Sequence, residues 1–179
     1  MQFLMIDGEG GPHDERFQQA IEVLFSTAYT LKFAAKQEMG FDYTVMPLEG
    51  LWWAERMEDF VKGLKENWKW TLMIFQPDVI RSDRVHQAVQ KCAIKKPHLP
   101  YDQLYLKPFT EGWSAQVLHI GPFAEEHANV MRLHELIHSS KGSLDGLEHK
   151  HHEIYLSDFR KVAPEKMRTV LRQPFKPQV

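Results

Sequence analysis

The order of turn, helix and strand signals runs twice along this chain, and that repetition constrains the fold more than any single motif does. Gly11-Pro12 opens a helical stretch that stops at Gly40, followed by a strand around Glu49 and another closing on Gln76-Pro77. In the second half Gly121-Pro122 opens a helical stretch stopping near Gly142, followed by a strand around Glu153 and another closing on Gln173-Pro174. Internal repetition reports structural symmetry. Two half-domains related by a pseudo-twofold axis would leave a groove between them, with one glutamate offered by each half.

Hydrophobic spacing assigns the elements. Gln2 to Asp7 is mostly apolar and runs into the glycine-rich DGEGG, which reads as a strand followed by a sharp turn. Asp14 is placed to cap a helix in which Phe17, Ala20, Ile21, Leu24, Ala28, Leu31 and Ala35 recur at three and four residue steps, giving one apolar stripe. Tyr43 to Trp53 and Trp68 to Gln76 are aromatic and β-branched and read as paired strands. The second half repeats this with a strand over Ser114 to Ile120, a helix whose buried stripe is Val130, Leu133 and Ile137, and strands over His151 to Ser157 and Arg168 to Gln173. Between the halves, a helix reaching Lys95 precedes an irregular stretch with Pro97, Pro100 and Pro108.

Two strand-helix-strand-strand units predict an α+β fold: two βαββ repeats, an antiparallel sheet, helices on one face and a ligand groove on the other. Residues 1–179 read as a single domain, with repeat one at about 1–77, a connecting segment at about 78–112 and repeat two at about 113–179. The formal net charge of −2, with 22 basic and 24 acidic side chains well mixed, provides no footprint for nucleic acid or anionic lipid. No stretch approaches the roughly 20 apolar residues of a membrane span, and no signal sequence opens the chain. A cytoplasmic protein is expected. Cys92, the lone cysteine, fits a reducing compartment and reads as a packing residue.

Candidate chemistry concentrates in the strands. In HHEIYLSD, alternation sets His152, Ile154 and Leu156 on one face and His151, Glu153, Tyr155 and Ser157 on the other. Assigning Ile154 and Leu156 to the helix-covered side leaves Glu153 and Tyr155 on the groove side. PLEGLWW adds Glu49, Trp52 and Trp53, and Trp113 precedes the next strand. Acidic groups among aromatic walls suit planar organic molecules and cations. A partly desolvated carboxylate there serves as a general base or as counter-charge to a positive ligand. Paired with a neighbouring Lys or Arg, either glutamate would instead be structural. The oligomeric state stays open.

His134-Glu135-Leu136-Ile137-His138 spells H-E-x-x-H, the zinc metalloprotease pattern when it lies on a helix. Its context argues against that chemistry, because Lys141 stands where the extended motif needs glycine. For a zinc site Glu153 or Glu165 would supply the third ligand; the bland reading is a solvated helix flank beside the Val130, Leu133 and Ile137 stripe. His151 and His152 point to opposite faces of their strand and do not converge on one ion, even with His149 nearby. No metal and no cofactor is expected.

IDGEGGP, PLEGLWW, WTLMIFQPDVI, LHIGPFAEE and the tail HHEIYLSDFRKVAPEKMRTVLRQPF resemble the GyrI-like small-molecule-binding family, in family order across nearly the whole chain. The resemblance implies the twofold βαββ architecture with a ligand groove. Family members include drug-binding domains of multidrug-responsive regulators, a gyrase-inhibiting protein, and stand-alone enzymes that hydrolyse cyclopropane-containing DNA-alkylating natural products. With no helix-turn-helix module in this sequence, the chain is similar to the stand-alone members. The family's groove glutamate maps onto Glu153, with Glu49 as its counterpart. Many relatives carry an additional N-terminal stretch before the strand that begins here at Gln2.

The resulting expectation is a hydrophobic, aromatic or cationic ligand and hydrolysis of an electrophilic cyclopropane. Glu153 would activate water, Tyr155 would hydrogen-bond the carbonyl that takes up charge, and Trp52, Trp53 and Trp113 would form walls. The alternative is a drug-binding, sensing or gyrase-interacting module without chemistry. A zinc hydrolase is the remote third.

Overall fold

The computed structural model describes residues 1–56, 59 and 62–178. The chain is mixed α+β. Its strands are β1 (Gln2–Glu9), β2 (Leu48–Ala54), β3 (Trp68–Gln76), β4 (Tyr105–Pro108), β5 (Ser114–Ile120), β6 (His151–Tyr155) and β7 (Arg168–Pro174). Its helices among the described residues, apart from short 3-10 turns, are α1 (Glu15–Met39), α2 (Ser82–Lys95) and α3 (His127–Ser139). The order β-α-β-β thus occurs at β1-α1-β2-β3 and again at β5-α3-β6-β7. Two compact units form, one from residues 1–46 and 71–110 and the other from 47–70 and 111–179.

In unit one the strand order is β4-β1-β3. The α1 stripe is buried as its spacing predicts, from Phe17 through Leu24 to Ala35. Gly40 ends the helix in the left-handed region at φ 64°, where its N–H bonds back to the Lys36 carbonyl. Asp14 occupies the N-cap position, yet its carboxylate accepts from the Gly11 N–H instead of from the first turn of the helix. On α2, Val85, Ala88 and Cys92 are buried, and the Cys92 thiol lies 3.3 Å from the Thr30 hydroxyl. The connecting stretch expected to be irregular contains β4, antiparallel to β1 with Leu4 opposite Leu106. Proline density hid this strand, because Pro108 sits at its end, where no ladder donor is needed.

In unit two the order is β2-β6-β7-β5, with every described pair antiparallel. The register explains which residues share a face, since directly opposed side chains project to the same side. Gly50, Glu153, Leu171 and Val117 form one row across the four strands. Leu171 and Ala115 pack with Leu133 and Ile137 of α3, and Val117 and Val130 lie against them. The helix therefore covers the face that carries Glu153. The opposite face carries Leu51, His152, Arg172 and Gln116 in the adjacent row, and Leu118 and Ile120 are exposed. This reverses the expected assignment of Ile154 and Leu156 to the helix side. The apolar surface beneath α3 comes from β5 and β7, and Leu156 is exposed.

Candidate functional site: an acidic and aromatic cluster in unit two

Alternation in β6 and the register with β2 bring Trp52, Glu153 and Tyr155 to the α3 face. Tyr155 is 6% exposed, and its hydroxyl accepts a 2.9 Å hydrogen bond from the Trp52 indole N–H. Glu153 lies two residues before Tyr155 in β6 and on the same face. Trp52 and Tyr155 are thus bonded across β2 and β6, with Glu153 beside them. Burial first, then the charge of Glu153, push the Tyr155 phenol well above its ordinary range, and the Trp52 bond only partly opposes them. Its proton is therefore held firmly.

Aromatic rings surround this group. Phe123, from the turn between β5 and α3, meets Tyr155 edge-on at 5.9 Å, and Phe159 meets both Tyr155 and Phe123 at 5.3 and 5.6 Å. Trp68 lies edge-on to Trp52 at 5.9 Å. The Glu153 side chain itself is 14% exposed, and Gly50 directly across the ladder has no side chain to crowd it. His151, also on this face, approaches Glu153 at 3.5 Å.

A second carboxyl, Glu126, stands where α3 begins. It is 8% exposed, and its Oε1 is buried with no hydrogen-bond partner among the described residues. Burial first, and the charge of Glu153 second, raise its pKa to about 9. The amino-terminal end of a helix favours an ionised carboxylate by about 0.3–1 kcal/mol. Burying a charge without a partner costs considerably more, so the neutral acid is the form that this environment selects. Nearby, the buried His119 ring bonds through Nε2 to the Pro122 carbonyl at 3.1 Å and through Nδ1 to the Asn129 amide at 3.1 Å.

Glu49 and Trp53 belong to the other face. His152, 1% exposed, donates from Nε2 to Glu49 at 2.9 Å and from Nδ1 to Glu111 at 2.7 Å. Arg172 donates to the second Glu111 oxygen at 3.1 Å and grips the Gln116 carbonyl through Nε and Nη2. Burial alone would lower the His152 pKa, but its bonds to Glu111 and Glu49 and their charges outweigh that and raise it. Burial alone would raise the Glu111 pKa, and His152 and Arg172 outweigh that and lower it. Among the described residues Glu49 is therefore paired with His152, not with a Lys or Arg. The Lys150 ammonium sits 3.5 Å from the Trp53 ring centre. Trp113 is 71% exposed.

His134, Glu135 and His138 all lie on α3; His134 is partly buried, while Glu135 and His138 are exposed. Burial, partly countered by a bond with Gln173, lowers the His134 pKa. Among the described residues, no group of three or more His, Cys, Asp or Glu side chains is arranged to hold a metal ion. Nor is any described helix long and apolar enough to cross a membrane.

Sequence reasoning missed Glu126, Phe123, Phe159, Glu111 and Arg172. An acid at the start of a helix reads as a solvated dipole partner, and nothing local marks Glu126 as buried. Arg172 comes beside His152 only through the β6–β7 register, which pairing in the fold sets.

The chain belongs to the family of the GyrI-like small molecule binding domain, matched over residues 1–176. It is similar to an uncharacterized conserved protein from Listeria innocua at 37% identity and TM-score 0.87, covering 98% of this chain and 88% of that one. A hydrolase from Listeria innocua is similar at 36% identity and TM-score 0.84, covering 98% and 87%. The EcmrR C-terminal domain, at 9% identity and TM-score 0.57 over 99% of this chain and 92% of that one, shares the fold. No protein among those with curated functions matches.

Proposed function

We propose that this protein binds hydrophobic, aromatic or cationic small molecules at the Glu153 cluster and hydrolyses electrophilic cyclopropanes, detoxifying genotoxic compounds. The observation that carries the reading is Glu153 on the same sheet face as the bonded Trp52–Tyr155 pair, beside the rings of Phe123 and Phe159. A partly buried carboxylate in an apolar surround is an arrangement that suits a general base. The likeness to a hydrolase at 36% identity supports it. So does the family match over residues 1–176, which also supports treating the whole chain as one GyrI-like domain.

In the proposed step, Glu153 takes a proton from water as the water oxygen bonds to a ring carbon. The strained carbon–carbon bond breaks, and its electron pair moves into the conjugated carbonyl, whose oxygen is then protonated. Tyr155 is better read as a positioning residue than as donor to that carbonyl, because burial holds its proton firmly and its hydroxyl is bonded to Trp52. Trp52 fixes Tyr155 and, with Phe123 and Phe159, limits water near the reacting atoms. Glu49, Trp53 and Trp113 are not needed in this step.

The test uses purified protein and a cyclopropane-containing alkylating agent of the duocarmycin type, followed by mass spectrometry of the small molecule. Wild type should form the water adduct, and Glu153→Gln should lose turnover by about a hundred-fold or more while retaining most binding. Hydrolysis that survives this change removes Glu153 as the base. A second reading, a drug-binding or sensing module, is favoured by the same carboxylate among ring faces, which suits cation capture. It predicts saturable binding with the ligand returned intact, and loss of cation affinity in Glu153→Gln.

A further inference from the structure

Glu153 and the bonded Trp52–Tyr155 pair account for a base and its support but leave the oxygen that collects charge without a proton donor. The Trp52 N–H is bound to Tyr155, and Tyr155 is 6% exposed, its proton held firmly by burial. Glu126 is different. Its Oε1 is buried and unpartnered, and the side chain is more than nine-tenths enclosed at 8% exposure. A buried oxygen left without a partner costs stability and calls for a specific reason, a catalytic role among them.

Position supplies that reason. Phe123 lies three residues before Glu126 and sets its ring against Tyr155, so the turn entering α3 passes beside the Glu153 cluster. The charge of Glu153 acts on Glu126. Two carboxyl groups whose environments differ in this way divide naturally into one acid and one base.

We infer that Glu126 is the general acid of the reaction proposed above, a catalytic residue that delivers its proton to the substrate oxygen on which charge collects as the ring opens. The inference rests on the hydrolytic reading. As water adds to the ring carbon, its proton passes to Glu153, the carbon–carbon electron pair moves into the conjugated system, and the Glu126 proton passes to the carbonyl oxygen. The cycle closes when the proton on Glu153 returns to the Glu126 carboxylate through solvent. The arrangement selects substrates with a hydrogen-bond acceptor conjugated to the cyclopropane, which would give the unpartnered Oε1 its missing bond.

The experiment compares wild type, Glu126→Gln and, as a neighbouring control on an exposed side chain, Glu125→Gln, in hydrolysis of the duocarmycin-type probe from neutral to alkaline pH. Wild-type kcat should fall with loss of one proton near pH 9, the value to which Glu126 is raised. Glu126→Gln should lower kcat about a hundred-fold or more, leave KM nearly unchanged and abolish the alkaline limb, while Glu125→Gln behaves as wild type. A Glu126→Gln protein with wild-type kcat and the same limb overturns the inference and leaves the hydrolytic reading intact. Absence of hydrolysis by wild type overturns both. Should the Gln variant not fold, the wild-type infrared spectrum decides. A protonated carboxyl band at neutral pH that disappears through the same alkaline step supports the inference, and its absence overturns it.

Discussion

Replacing His152 by Leu probes the buried charge network on the face away from α3. The imidazole is 1% exposed and makes bonds of 2.7 and 2.9 Å to Glu111 and Glu49. Each charge-assisted bond is worth about 1.5–3 kcal/mol, and Leu returns about 1.5–3 kcal/mol of apolar burial. Glu111 keeps Arg172, so one carboxylate rather than two loses its cation. The net loss should be about 3 kcal/mol, at the lower end of what breaking a buried ion pair costs. With a urea slope of about 3 kcal/mol per molar, the midpoint followed by tryptophan fluorescence should fall by about 1 M. The effect should depend on pH. The His152 pKa is raised above 6.5, so its contribution is fully present below pH 6.5 and lost as pH rises through the folded value. The Glu111 pKa is lowered below 4.5, so its contribution is present above pH 4.5 and lost as pH falls through the folded value. The gap between wild type and variant should therefore be widest between pH 4.5 and 6.5. A midpoint shift below about 0.3 M, or a gap independent of pH, would refute the reasoning.

Two further substitutions test the packing of unit two. In Gly142→Ala the new Cβ would stand 2.6 Å from Phe175 Cδ2 and 2.9 Å from Ile137 Cγ2, so calorimetry should report destabilisation by about 1–3 kcal/mol; unchanged stability would mean the α3 end is looser than described. Trp52→Phe removes the donor to Tyr155 while keeping an aromatic ring, and should cost about 1 kcal/mol of stability and lower turnover more than ligand affinity. Equal losses in both readouts would make Trp52 a wall and not a support.

Periodicity made the backbone plan legible. The α1 stripe from Phe17 to Ala35 and the limits of β3 and β5 follow from residue spacing and turn signals, which act locally. Facing did not follow, because alternation in β6 sorts its residues into two sets without saying which set meets the helix. That is decided by Leu171 and Val117, on strands adjacent only after folding. The same limit separated Glu49 from Glu153, equivalent in sequence order yet on opposite sides of their strands. Glu126 was illegible for a related reason. An acid at a helix start carries no local signal of burial, yet this one is 8% exposed.

The central claim is water addition directed by Glu153. It is tested most directly by running the cyclopropane reaction in water enriched with heavy oxygen, wild type beside Glu153→Gln, and weighing the product. Heavy oxygen in a product formed by wild type and not by Glu153→Gln is the predicted result. A product without heavy oxygen, or equal labelled product from both proteins, would contradict the account.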